Sequence, residues 1–266
     1  MRTKRVEKTT RIADLYQNAN AKIRVPKQHH DHLDALLINT AGGLTGGDRL
    51  CWTMDAGAST KTVVSTQACE RIYRATAGTA DVQNNIDVQE GAHLFWLPQE
   101  TILFDGAALD RKFNAQIASG GRLTALEIVV LGREAMHETL QSVSLSDKWR
   151  IHHGNRLLHA DAIRLGSADL PKMKQSAHLK DHLVFGTLID IEPSRTPLDQ
   201  QQSRALSDRF AHRFTGCDKV QMGMSVFEQK TIVRFTARNS YQLRQQLPDL
   251  LNEIVLGLHL PTVWRL

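Results

Sequence analysis

The densest candidate for chemistry is the run Asn39-Thr-Ala-Gly-Gly-Leu-Thr-Gly-Gly-Asp48-Arg49-Leu50, where Gly42, Gly43, Gly46 and Gly47 crowd together. A loop this rich in glycine invites comparison with the frame GxxxxGK[ST], whose amides cradle phosphates while its lysine reaches the terminal ones. Counted from Gly42, that frame puts Asp48 at the lysine position and Arg49 at the hydroxyl position. A carboxylate there repels a nucleotide, and no hydroxyl is left to hold magnesium. The segment also leads into strand-like rather than helical sequence. It fits a tight double turn instead, with the glycines at positive φ and Asp48 accepting hydrogen bonds from turn amides. A turn so stiff holds Thr45, Asp48 and Arg49 in fixed geometry.

Histidine is abundant, with 12 in the chain. His29, His30 and His32 lie beside Asp31 and Asp34 in what reads as an exposed polar loop. Imidazole and carboxylate together suit nickel or zinc, so weak capture of a divalent ion is one reading and a solvated loop the other. His152 and His153 point to opposite faces if 149–153 is a strand, and cannot then chelate one ion together. His159 and Asp161 share a strand face and form a further candidate pair. No HExxH helix pair is present.

Glu70, Glu100 and Asp105 are the candidate acids and bases. Two carboxylates set in an apolar run, as Glu100 and Asp105 are, have the makings of glycosidase-type acid–base work. Arg71 and Arg74 supply the opposite reading, in which they neutralise structural carboxylates. Cys69 adjoins Glu70 and Arg71 but has no histidine base near it in sequence, and GxSxG is absent. Residue chemistry alone therefore assigns no enzyme.

The elements that must carry these residues are mostly strands. Phe113, Ala115 and Ile117 alternate with polar residues, as do Val143 and Leu145, giving the period of a half-buried strand. Thr62–Thr66, Val82–Val88, His93–Leu97, Leu123–Val130 and Leu157–Leu165 are further strands. Met222–Val226 and Ile232–Phe235 form a late hairpin. Helical spacing occurs only near the end: Leu206, Phe210 and Phe214 recur every four residues within Leu198–Thr215. Ser240 can cap a second segment, which Pro248 interrupts, so that a fresh helix is expected from Pro248 to about Leu258. No linker or fixed-period repeat is visible. The expected fold is mostly β, a stacked-sheet, solenoid-like single domain over 1–266 with two short helices near the C-terminus.

Composition narrows the classes further. The 266 residues carry 33 Lys+Arg against 28 Asp+Glu, a formal charge of +5, with 41% hydrophobic and 23% charged residues. That describes an ordinary soluble globular chain of ample core. The basic residues are interleaved with acids and build no patch for nucleic acid. Apolar runs such as Leu126–Leu131 are far below the roughly 20 residues of a membrane span, and no apolar stretch follows the basic start to make a signal peptide. Cys51, Cys69 and Cys217 are an odd number without a CxxC pair, which argues against a disulfide scaffold and for a cytoplasmic address.

Five stretches, TRIADLYQ (Thr10–Gln17), LINTAGGLTGGDRL (Leu37–Leu50), STQACERIYR (Ser65–Arg74), WLPQETILFDGA (Trp96–Ala107) and WRIHHGNRLLHADAIRL (Trp149–Leu165), occur in an order that resembles the urease accessory proteins of the UreD/UreH family. The resemblance is strongest over about 10–135, extends to 165 and fades beyond. Two departures stand out: His137 occupies a position that is usually glycine, and the segment before Thr10 looks too short for a first strand. The resemblance implies a non-catalytic scaffold for maturing the nickel centre of urease. Its implied partners are the urease apoprotein, a helical UreF-like accessory protein and a UreG-like GTPase, and it allows a homodimer within the complex. A nickel route through such a protein would give Asp48, Glu70, Glu100 and Asp105 a role as polar lining. No closed ligand set is visible, so nickel is expected weakly bound or in transit, with no tightly held cofactor. The competing reading is a carbohydrate-active or hydrolytic β-protein using Glu100 and Asp105, which would turn over substrate in isolation.

Overall fold

The computed structural model describes residues 1–27, 30–133, 136, 138–173, 175, 178–180, 182–214, 219–255 and 258–264. The first strands are β1 (Arg2–Val6), β2 (Thr9–Asp14), β3 (Ala21–Arg24), β4 (Leu33–Asn39), β5 (Arg49–Ala56) and β6 (Lys61–Thr66). They are followed by β7 (Glu70–Ile72), β8 (Ala80–Val88), β9 (His93–Trp96), β10 (Thr101–Leu103), β11 (Ala107–Ile117) and β12 (Arg122–Leu131). The last are β13 (Val143–His153), β14 (Arg156–Gly166), β15 (Val184–Ile191), β16 (Val220–Phe227) and β17 (Lys230–Ala237). Among the described residues there are three α-helices, α1 (Leu170–Met173), α2 (Gln200–Phe214) and α3 (Ser240–Ile254), and two short 3-10 helices, Ser167–Asp169 and Thr262–Trp264.

These strands form two stacked sheets. A 7-stranded sheet runs β14-β13-β11-β8-β5-β1-β2, and a 10-stranded sheet runs β16-β17-β15-β12-β9-β6-β4-β3, with β10 attached beside β12 and β7 beside β10. From β4 to β13 the chain winds from one sheet to the other and back, laying each new strand parallel to its predecessor in the same sheet. This is the solenoid geometry expected from the sequence. Antiparallel strands close both ends of the winding.

The coil length shows in the side chains. Asn39 and Glu70, Cys69 and Glu100, Arg74 and Asp105, and Trp96 and Glu127 are each hydrogen-bonded and each 31 residues apart. Successive turns of the solenoid therefore bring these residues into register. Between the sheets, Leu37, Trp52, Ile86, Trp96, Phe113 and Trp149 belong to one apolar core. A second core lies on the far face of the larger sheet, where Phe95, Leu126, Ile128 and Val233 meet Phe210 of α2 and Leu243, Leu247, Leu250 and Leu251 of α3. β12 is buried on both faces, which is why its sequence reads as a nearly unbroken apolar run.

Three expectations need correction. A first strand does exist: β1 pairs with β2 and touches β5. Its pattern escaped notice because Thr3 alone is buried there, hydrogen-bonded to Thr60 and Thr62 rather than packed by an apolar side chain. Pro248 lies inside α3 instead of starting a helix. The buried leucines at 243, 247, 250 and 251 straddle it, and their packing holds the helix together across the one missing backbone bond. The cap of α3 is Asn239, whose side chain accepts from the Gln242 amide at 3.0 Å, not Ser240.

Candidate functional site

The glycine block forms the turn between β4 and β5. Gly42, Gly43 and Gly47 have φ of 78°, 155° and 90°, whereas Gly46 has no positive φ. Gly46 is needed for space instead: a Cβ there would lie 2.1 Å from the Ala77 carbonyl oxygen. Asp48 accepts from the Thr45 amide at 2.8 Å, and the Thr45 hydroxyl donates to the Arg74 carbonyl at 2.9 Å. The turn is thus tied to the next coil. Asp48 and Arg49 both line a groove of about 590 Å³ together with Tyr16, Asn20 and Trp52.

Glu100 lies deep, 1% exposed. Its carboxylate is gripped by Arg244 of α3, whose Nε is 2.7 Å from Oε1 and whose Nη2 meets Oε2. The same Nη2 donates to Gln99 Oε1 at 2.7 Å, and the guanidinium stacks over Trp264. Cys69 donates its thiol hydrogen to Glu100 Oε2 at 3.3 Å. Burial, then the Glu100 charge, pushes the Cys69 thiol up to about 11, so it is neither nucleophile nor thiolate ligand at neutral pH.

Glu70 accepts from Asn39 Nδ2 at 3.0 Å, and burial raises its pKa above the ordinary carboxylate value. It opens on a cavity of about 50 Å³ between the sheets, shared with Gln99, Arg111 and Glu127. Asp105 is held differently. It takes the amides of Ser142 and Gln141 at 2.9 and 2.7 Å and the Arg74 guanidinium, and these hold its pKa down, the amides foremost. Of the two arginines weighed from sequence, Arg74 does neutralise a carboxylate, while the partner of Glu100 comes from a helix no local pattern connects to it.

A buried ion triad between the sheets has no counterpart among the residues singled out from sequence. Arg111 of β11, 3% exposed, bridges Glu127 of β12 and Asp147 of β13, and also donates to Thr101 Oγ1 at 3.0 Å. Trp96 Nε1 donates to the other Glu127 oxygen at 2.9 Å. Burial raises the Glu127 pKa despite the neighbouring guanidinium. Two carboxyls share one cation here, which burial makes hard to sustain in fully ionised form. Glu127 interrupts an apolar run in the sequence, and that interruption was the available signal.

The histidines sort into separate environments. His32 is not in an exposed loop: it is 2% exposed and sits just before β4. His30, His32 and Asp34 bring one donor atom each within 4.8 Å of one another, the one such group of three among the described residues. His29, like His137 and Cys217, lies outside the described residues. His153 Nδ1 meets the Ile117 carbonyl at 2.8 Å, and a register shift separates His152 from Ile151. His159 is buried with a lowered pKa, while Asp161 accepts from Arg234 at 2.7 Å, which leaves that pair an ordinary buried group and an ion pair.

Chemically, every carboxylate proposed for acid–base work already has partners: Arg244 for Glu100, two amides and Arg74 for Asp105, and Asn39 for Glu70; Asp48, read as a turn acceptor and a lining candidate, takes a turn amide. Among the described residues, no helix is long and apolar enough to cross a membrane. The model of the UreD urease accessory protein family matches residues 1–265, so the likeness continues well past residue 165. Proteins named urease accessory protein UreD are similar over nearly the whole chain. That of Rhizobium leguminosarum bv. viciae is 40% identical over 97% of this chain and 90% of its own length. That of Agrobacterium fabrum is 39% identical over 99% and 89%, and that of Chelativorans sp. 38% over 97% and 89%.

Proposed function

We propose, from the premise that this chain belongs to the UreD urease accessory protein family, that it works as a non-catalytic scaffold in urease maturation. In this reading it binds urease apoprotein in the cytoplasm and joins a UreF-like protein and a UreG-like GTPase in bringing nickel, as cargo, to the urease active site. GTP hydrolysis belongs to the GTPase partner. A second copy of the chain can take part in the same complex.

What carries the reading is the state of the carboxylates. Glu100 is clamped by Arg244 and Asp105 by backbone amides and Arg74. A general acid and a nucleophile must instead meet a substrate from a cleft. These contacts favour the scaffold reading over the hydrolytic alternative, which calls on the same two residues.

For the passage of nickel, Glu70 and Asp48 are the better lining candidates of the four. Glu70 borders the cavity between the sheets and Asp48 the outer groove, whereas Glu100 and Asp105 brace neighbouring coils. Nickel in this route is held weakly and released, with no tightly bound cofactor. The test is co-purification of the tagged chain with urease apoprotein from cells expressing both. A stable complex devoid of hydrolytic and GTPase activity is expected; absence of any complex, together with turnover by the chain alone, would overturn the reading.

A further inference from the structure

We infer that the exposed β1–β2 hairpin is a docking surface for an acidic patch on a partner protein, and that this partner is the urease apoprotein. The inference rests on the reading above that the chain binds the apoprotein, and it adds the surface through which the two meet.

The charge of the chain is gathered at one end of the fold. Residues 1–27 hold eight of the 33 Lys+Arg but only two of the 28 Asp+Glu, Glu7 and Asp14. Eight against two leaves +6 there, and 25 against 26 leaves −1 over all the rest. These residues build β1, β2 and β3. β2 is the last strand of the smaller sheet and β3 the last of the larger, at the same end of the winding. The Lys61 amide of β6 donates to the Thr10 hydroxyl of β2 at 3.0 Å and ties the two layers there. Charges that look interleaved in sequence are thus segregated in space.

Within the hairpin the cations are placed against its own stability. Thr3 and Thr10 are buried, so Lys4 and Arg11 stand on the solvent face, where they are direct register partners. Like charges opposite one another destabilise an antiparallel pair. Neither cation meets a carboxylate among the described residues, whereas Arg2 beside them is held by Asp55 at 2.8 Å. Protection against edge-to-edge aggregation places charge on the outermost strand. That explains Arg11 on β2 but not Lys4, which sits on the inner strand β1 and faces it. An acidic surface settling over both cations offsets their repulsion and steers the encounter.

The surroundings favour a protein over a nucleic acid. Glu7 and Asp14, both exposed, lie at the two ends of β2 and repel a continuous track of phosphates. Tyr16, 76% exposed, follows β2 by two residues. Exposed tyrosine beside arginine is the pairing in which protein interfaces are enriched.

The test is the affinity of the untagged full chain for immobilised urease apoprotein at 50 and 500 mM NaCl. It compares wild type with Lys4→Glu and with Arg156→Glu, an exposed site on β14 at the opposite end. The two variants change net charge equally. Lys4→Glu also puts opposite charges face to face in the hairpin, so its urea midpoint should equal or exceed that of wild type. At 50 mM NaCl, Lys4→Glu is expected to lose at least tenfold in affinity, chiefly through slower association, while Arg156→Glu binds as wild type. At 500 mM NaCl the gap should narrow, because salt screens exposed charges. Equal affinity of Lys4→Glu and wild type, or equal losses in both variants, overturns the docking surface and leaves apoprotein binding standing. No binding by wild type overturns both. A labelled 20-bp DNA duplex serves as the second probe at 150 mM NaCl. Micromolar DNA binding that Lys4→Glu abolishes, with apoprotein binding untouched, assigns the hairpin to nucleic acid and also overturns the inference.

Discussion

Arg244, presented by α3, closes on the carboxylate of Glu100, 144 residues earlier in the chain. One guanidinium thereby joins the C-terminal helix to the solenoid and reaches Gln99 and Cys69 from the same position. The contact turns a carboxylate that looks catalytic in sequence into a fastening.

Removing the cation from this pair should be costly. Arg244→Met leaves a buried charge unpaired and is expected to destabilise by about 2–4 kcal/mol, below the full value for a buried pair because Arg244 keeps 21% of its side chain exposed. Combining it with Glu100→Gln should recover part of the loss, because the charge is gone. Urea unfolding of the two single variants and the double variant measures this. Equal midpoints for wild type and Arg244→Met would contradict the fastening.

Cys69 and Cys51 should differ sharply in reactivity. Cys51 is exposed, while the Cys69 thiol is raised to about 11 and bonded to Glu100. Iodoacetamide at pH 7.5, followed by peptide mapping, should modify Cys51 and spare Cys69 in the folded protein. Comparable labelling of both would show that the Cys69 environment is open.

The winding of the chain explains what could and could not be read from sequence. Strands with one buried face, such as β8 and β11, announce themselves by alternation. The solenoid does not, because stacking constrains coil length and backbone register rather than residue identity. Asn39 meets Glu70, Cys69 meets Glu100 and Arg74 meets Asp105, three dissimilar pairs at one offset of 31. No repeat is visible when each turn carries different side chains. Arg244 was hidden for a different reason: its partner is set by how α3 packs, and its neighbours in sequence hold no trace of Glu100. His32 reads as exposed because a run of charged and polar residues resembles a solvated loop, although its side chain is buried.

Acid should weaken the fold through His93. Its ring is partly buried, 2.9 Å from Thr124 Oγ1 and stacked on Phe95, and desolvation foremost lowers its pKa to about 3. The unfolded residue takes its proton near pH 6.5. Between those values the unfolded chain binds the extra proton, so stability falls as pH drops below about 6.5. His93→Gln can keep a hydrogen bond to Thr124 and should lose less stability than wild type between pH 7 and pH 5. Urea midpoints at the two pH values decide, and an equal decline in both proteins would remove His93 as the cause.

The glycine block separates turn geometry from passage of nickel. Gly43→Val places a Cβ 2.3 Å from the Tyr73 ring and 2.7 Å from the Arg71 carbonyl, at a φ that side chains avoid. It should destabilise by about 2–4 kcal/mol. Asp48→Asn retains an oxygen for the Thr45 amide and should melt within a degree or two of wild type. If Asp48 guides nickel, the same variant activates urease less well in cells. Normal melting with full activation would confine Asp48 to the turn.

The central claim is that urease needs this chain to receive its metal. The direct measurement is the nickel content, by elemental analysis, of urease purified from cells carrying the urease structural and accessory genes with or without the gene for this chain, at limiting nickel. The account predicts assembled urease in both strains, with nickel near stoichiometric only where the chain is present. Urease fully loaded with nickel in its absence would contradict the account.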